Sequence, residues 1–231
     1  MSSTQEDRLH AYMMATIGDE LPAWPGGWPD EIEAALIDAV FSVRARYGRR
    51  GRGRETGVYG AVQRWRSHRR AQGSDAANDL RVLAGTSVDD LRAVTNSGKI
   101  RGRYKAEVVT DAANALVNAH VVTAGDLQAH EPAAKAAYLA VPGCGPVTWR
   151  YLRMLIGAND VKPDTWVMRF VRDELPEATN PSDAAALITA VAARMGVDAP
   201  ILDHAIWAHS RAKSSGTQPS AARRGEEEMR R

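Results

Sequence analysis

The sequence of 231 residues predicts an all-α protein, on three observations. Apolar residues recur at helical spacing along nearly the whole chain, alternating β-branched runs bounded by turns are missing, and capping residues precede several of the periodic segments. Asp30 with Glu33 has the form of a capping box, after which Ile32, Leu36, Ala39, Val40 and Val43 fall on one face of a core helix expected to end near Tyr47. A second helix is expected over 58–69. A third starts at Ser87, with Asp90 completing its cap before Leu91 and Val94, and Gly98 stops it. Val108, Val109, Ala112, Leu116 and Val117 mark a longer amphipathic helix from Tyr104, and Thr123 with Asp126 opens a short one. Helices over 131–140 and 146–156 flank the turn Val141-Pro142-Gly143-Cys144-Gly145. Three more are expected from Thr165 to just before Pro176, over 182–195, and from Pro200 to about Arg211.

Residues 1–29 form an N-terminal segment without an assigned element, 30–212 the main domain, and 213–231 a small, polar, charged tail expected to be disordered. A chain of this length that is 44% hydrophobic can build one ample core or two small lobes. The single cysteine, Cys144, rules out an internal disulfide, a four-cysteine zinc site and a four-cysteine iron–sulfur cluster, so no metal or cofactor is expected. Gln5, Glu6, Asp7 and His10 stand where a signal peptide needs an apolar core, and no apolar run reaches membrane-spanning length. A cytoplasmic protein with no membrane partner is the expectation.

The net charge of +2 is unevenly spread. Arg44, Arg46, Arg49, Arg50, Arg52, Arg54, Arg64, Arg66, Arg69 and Arg70 face a single acid, Glu55, with Tyr47, Tyr59 and Trp65 interleaved. Guanidinium forks match phosphate oxygens, so this stretch is a candidate nucleic-acid contact; a solvated arginine-glycine loop over 48–57 is the alternative.

In the turn, two glycines permit backbone angles closed to other residues and let an anion approach without meeting a Cβ. Pro146 suits the first helical position, where its missing N–H would be an orphan in any case. The N–H groups of Gly143, Gly145, Val147 and Thr148 can then converge on one phosphate oxygen, helped by the helix dipole by roughly 0.3 to 1 kcal/mol. A plain αα-hairpin with a glycine turn explains the same residues.

The run from Val141 to Thr148, followed by Gly157, Pro163 and Asp164-Thr165, resembles the helix-hairpin-helix DNA glycosylases, the superfamily of endonuclease III and 3-methyladenine DNA glycosylase II. The likeness extends more weakly from Ile32 to Trp207, through the Lys105-Ala106 helix start and the terminal Asp203-His204-Ala205-Ile206-Trp207 helix; the arginine-rich insertion has no counterpart. It implies two helical lobes with the substrate cleft between them, a monomer, and a partner of double-stranded DNA carrying a modified base.

Asp164 precedes a helix and is a natural cap for nearby N–H groups. In the family this position faces the flipped nucleotide, where a carboxylate stabilises positive charge on the deoxyribose and polarises an attacking water; the two roles can coexist. Asp160 is the rival, in a loop with no helix end to fix it. Lyase members carry lysine where this chain has Val147, so the resemblance implies a monofunctional enzyme that leaves an abasic site. Lys99, Lys105 and Lys162 read as surface or phosphate-facing lysines. The family's Asp-Thr-His run is Asp164-Thr165-Trp166 here.

Arg44 lies where relatives insert a side chain into the gap left by the extruded base, or is one more phosphate contact. Arg64, Arg66 and Lys105 complete the expected DNA-binding set with Gly143, Gly145, Val147 and Thr148. Trp24, Trp28, Trp149, Trp166 and Trp207 read as core anchors or stacking platforms, and His204 and His209 as structural. A non-catalytic hairpin protein that holds DNA is the alternative function.

Overall fold

The computed structural model describes residues 3–48, 55–74 and 76–214, and their regular structure is almost wholly helical. The helices are α1 (Ser3–Thr16), α2 (Ile32–Phe41), α3 (Gly57–Ala71), α4 (Leu80–Gly85), α5 (Val88–Val94), α6 (Lys105–Asn118), α7 (Ala124–Ala129), α8 (Glu131–Leu139), α9 (Pro146–Leu155), α10 (Thr165–Glu174), α11 (Pro181–Arg194) and α12 (Ala199–Ser214). Strands β1 (Lys99–Ile100) and β2 (Arg103–Tyr104) pair antiparallel across a two-residue turn, too short for a period-2 pattern to show in the sequence. The tail expected to be disordered lies, beyond Ser214, outside the described residues.

The chain divides into two compact units, Gly26–Ala158 and the pair of segments Met1–Pro25 with Asn159–Arg231. The first is built around α2, all ten of whose residues are buried, Glu33 and Asp38 included, so that the helix is covered on every side and not on one face as the spacing predicts. Helices α3, α4, α6 and α9 pack against it. The capping box expected at Asp30 and Glu33 does not form. Helix α2 starts after Glu31 without a side-chain cap, and the Glu33 carboxylate turns inward. There it accepts from Trp65 Nε1 (2.9 Å), Arg69 Nε (2.9 Å) and the Asp79 N–H (3.0 Å), while burial raises its pKa. A buried carboxylate is tolerable only with such partners.

The other short helices obey their local signals. Ser87 accepts from the Asp90 N–H at the head of α5, and Thr123 with Asp126 forms a full capping box on α7. Helix α4 follows Asp79, which accepts from the Arg81 N–H. The ends of this unit meet: the Trp28 N–H donates to the Leu155 carbonyl at 2.5 Å, and a Cβ on Gly27 would stand 2.2 Å from that oxygen, so only glycine fits.

In the second unit, α1, α10, α11 and α12 enclose a core of Leu9, Met13, Val167, Phe170, Val171, Leu187, Ile188, Leu202 and Ile206. The N-terminal segment, given no element by the periodicity, therefore contributes two buried anchors one helical turn apart. Each such residue stabilises by roughly 1.5 to 3 kcal/mol on burial. Arg8 bonds Glu174 and Glu177, and Arg194 pairs with Asp7; being exposed, these pairs add about 0 to 1 kcal/mol each.

Candidate functional site

The turn between α8 and α9 is held from several sides. The Cys144 N–H donates to the Val141 carbonyl (3.0 Å), and Arg103, itself paired with Glu107 and Asp111, donates to the Pro142 carbonyl (2.7 Å). Gly143 has φ +108°, and a Cβ there would lie 3.0 and 3.1 Å from the Val108 methyls. Pro146 opens α9. The Gly145 N–H donates to Thr148 Oγ1 (3.0 Å), and the Thr148 hydroxyl donates to the Gly145 carbonyl (2.9 Å). Gly145 is thus not one of the anion-facing donors the sequence predicts. The N–H groups of Gly143, Val147 and Thr148 have no hydrogen-bond partner among the described residues, which leaves one free donor in the turn and two in the first turn of a ten-residue helix. Burial pushes the Cys144 thiol up to about 11, so it is protonated at neutral pH and is no nucleophile.

The cations fall into two groups. Lys105, expected at a phosphate, is buried instead: its Nζ donates to the carbonyls of Phe41 (2.7 Å) and Val43 (2.8 Å) at the C-terminal end of α2, and burial lowers its pKa. It ends α2 six residues before the expected Tyr47, because the bonded carbonyls are spent on an ammonium. Arg64 donates to the carbonyls of Val94 (3.0 Å) and Thr95 (2.6 Å), closing the end of α5. Arg66 clamps Glu31 through two bonds of 2.6 Å and lies over the Trp28 ring. Both guanidinium groups are engaged inside the protein. Arg44 and Arg46 are exposed, Arg44 with φ +49° directly after the carbonyl that Lys105 holds. Arg49, Arg50, Arg52 and Arg54 lie outside the described residues.

In the other unit, Asp164 caps α10. Its Oδ1 accepts from the N–H groups of Trp166 (2.8 Å) and Val167 (3.4 Å), and Oδ2 lies 4.0 Å from Lys162 Nζ, with about a quarter of the side chain exposed. Two further carboxylates belong to the same loop and to α12: Asp160, the rival named by the sequence, and Asp203, which the sequence does not single out as a site residue. Asp160 is buried and accepts the Val161 N–H (2.8 Å), so the loop does fix its direction. Asp203 is 8% exposed, accepts the Lys162 N–H (2.9 Å), and is pushed up to about 7 by burial and then by the Asp164 charge. Asn159 accepts the Ala199 N–H (2.7 Å), so the loop is tied to α12 at two points. The one available signal was that Asp203 occupies a core-facing position of α12, next to Leu202 and three residues before Ile206.

The aromatic residues divide similarly. Trp149 is core, against Tyr138. Trp28 stacks on Tyr59 and donates to Asp38, a fully buried carboxylate that also accepts from Tyr47 (2.9 Å) and Tyr151 (3.1 Å). Burial and that carboxylate raise the Tyr47 pKa, which keeps the phenol a donor. Half-buried Trp207 stacks with His204 under Arg211, and Trp166 lies beneath Arg169. Among the described residues no cluster of His, Cys, Asp and Glu has the make-up of a metal site.

Comparison of the chain with curated proteins and with solved structures gave no match. A family model described as "Domain of unknown function (DUF8548)" matches residues 7–211, a span that takes in the glycine turn and all three loop and α12 carboxylates. The chain belongs to that family.

Proposed function

We propose that this protein is a monofunctional DNA glycosylase, hydrolysing the N-glycosidic bond of a damaged, mispaired or modified base in duplex DNA and leaving an abasic site. The observation that carries the proposal is the state of Asp164: one oxygen accepts the two N–H groups of the α10 cap, which fixes the group, and the other lies 4.0 Å from Lys162 Nζ, with about a quarter of the side chain exposed. A carboxylate held in this way by two backbone donors is pre-organised to face developing positive charge. In the proposed reaction the glycosidic bond breaks toward the base, cationic charge builds on the deoxyribose, Asp164 stabilises it, and water adds at the anomeric carbon. Val147 at the head of α9 has no amine, and Lys105 is buried, so neither offers a Schiff base to the sugar.

The helix-hairpin-helix reading of α8, the turn and α9 supports binding. Three free N–H groups and a helix dipole suit one phosphate, and exposed Arg44 and Arg46 add charge. The resemblance noted above joins this turn to Asp164 at the family's spacing. The decisive experiment is mass spectrometry of free bases released from differently modified duplexes by the wild-type protein and by Asp164→Asn. Release by the first and not the second supports the proposal. No release from any duplex, with duplex binding intact, assigns the chain to non-catalytic DNA binding, a reading favoured by the fact that capping alone accounts for the position of Asp164.

A further inference from the structure

We propose that Asp203 and Asp164 act as a coupled pair, Asp203 being the buried member that positions Asp164. The inference rests on the glycosylase reading for its catalytic consequence, and for the pairing on the bond that ties buried Asp203 to the Lys162 main chain, with the direction in which the Asp164 charge shifts Asp203 in support. Asp203 reaches from α12 to the Lys162 main chain, two residues before Asp164, so any movement of its carboxyl group is passed directly to the cap of α10.

The two groups are held differently. Asp164 has two backbone N–H donors, the positive end of α10 and Lys162 nearby. Asp203 has the single Lys162 N–H and little water. The charged groups bearing on it come from one loop: Asp164 and Asp160, which oppose its ionisation, and Lys162, which favours it. Helices α10 and α11 bring Val167, Val171, Ile188 and Val191 to the core beside α12, and His204, next along α12, is stacked on Trp207. Burial first, and then the neighbouring negative charge, favour the protonated form of Asp203. Titration of Asp203 near neutrality follows, so that a buried charge appears beside the main chain leading to Asp164 as pH rises past about 7.

The first test is carboxyl carbon-13 NMR titration of the full chain. Asp203 should titrate near neutrality in the wild type, and Asp164→Asn should move that midpoint down by a unit or more, since the opposing charge is gone. A midpoint in the ordinary carboxylate range, or one that Asp164→Asn does not move, overturns the pairing whether or not the chain excises bases. The second test is the pH profile of base release. Wild type should lose activity on the alkaline side with an apparent pKa about that of Asp203, and Asp203→Asn, which still accepts the Lys162 N–H but cannot ionise, should show no such limb. If the limb persists in Asp203→Asn, Asp203 does not set it and the positioning role fails. Wild type that releases no base removes the catalytic consequence, while the NMR result still decides the pairing.

Discussion

Replacing Gly143 by alanine tests the turn at its narrowest point. At φ +108° an L residue is strained, at roughly 1 to 3 kcal/mol. The new methyl would also stand 3.0 and 3.1 Å from the two Val108 methyls, an overpacking that costs typically about 1 to 3 kcal/mol. Against this, alanine restricts the unfolded chain and returns about 0.4 to 1 kcal/mol. The net expectation is a loss of about 2 to 4 kcal/mol, or roughly 5 to 12 °C in Tm for a chain of this size. Urea denaturation followed by far-ultraviolet circular dichroism measures it. The two causes separate in a double-mutant cycle: Val108→Ala removes the clash but leaves the backbone strain, so Gly143→Ala should cost less by about 1 kcal/mol or more in that background. A Gly143→Ala protein within 0.5 kcal/mol of wild type, or a cycle without coupling, would show that the turn is not held as described.

Asp164→Asn should keep the α10 cap and stay within about 0.5 kcal/mol of wild-type stability while abolishing base release, whereas Asp164→Ala should lose both, with about 1 kcal/mol from the cap; calorimetry and the excision assay together distinguish them. Lys105→Met removes two charge-assisted bonds to the end of α2 and should destabilise by about 2 to 3 kcal/mol in urea, without changing the salt dependence of duplex binding. Arg44→Gln should do the reverse, lowering the slope of log affinity against log salt by about 0.9 with stability unchanged, as a fluorescence-anisotropy titration in rising salt would read. For Asp203 the linkage has a definite sign. A folded pKa raised to about 7 means that the native state holds its proton after the unfolded chain has released it. Stability is therefore greatest at low pH as far as this group is concerned and falls between about pH 4 and 7, by up to about 4 kcal/mol. Asp203→Asn should flatten that slope in pH-dependent denaturation.

What could be read from the sequence was what residues close in the chain decide. The caps at Ser87, Thr123 and Asp164, and Pro146 at the head of α9, needed only neighbours three or four positions away, and they stand where the spacing put them. Apart from Gly145, whose N–H is taken by Thr148 three residues on, the misplaced polar groups involve distant partners. Asp30 and Glu33 have the form of a cap, but Trp65, Arg69 and the Asp79 N–H, 32 to 46 positions away, claim the glutamate. The arginine run looked like a field for phosphate because charge is visible in a sequence and the acid or carbonyl that neutralises it is not. Arg64, Arg66 and Arg69 meet α5, Glu31 and Glu33. Asp164 was readable as a cap and Asp160 as its neighbour in the loop; that Asp203 bears on both was not, since it sits in a different helix some forty positions on.

The bond from Trp28 to Leu155 has a consequence for how the chain assembles. Left open, the stretch Gly26–Ala158 is a loop of roughly 130 residues whose closure would cost the four-helix unit on the order of 4 kcal/mol of chain entropy before Arg8 could find Glu174. Once that stretch has folded, its first and last residues already touch, and the ribosome-proximal helices meet α1 across what is in effect a tether of a few residues. Gly27, far from any chemistry, thereby governs the order of events: the inserted unit must knit first, and a side chain at this single position would delay the joining of a core to which it does not belong.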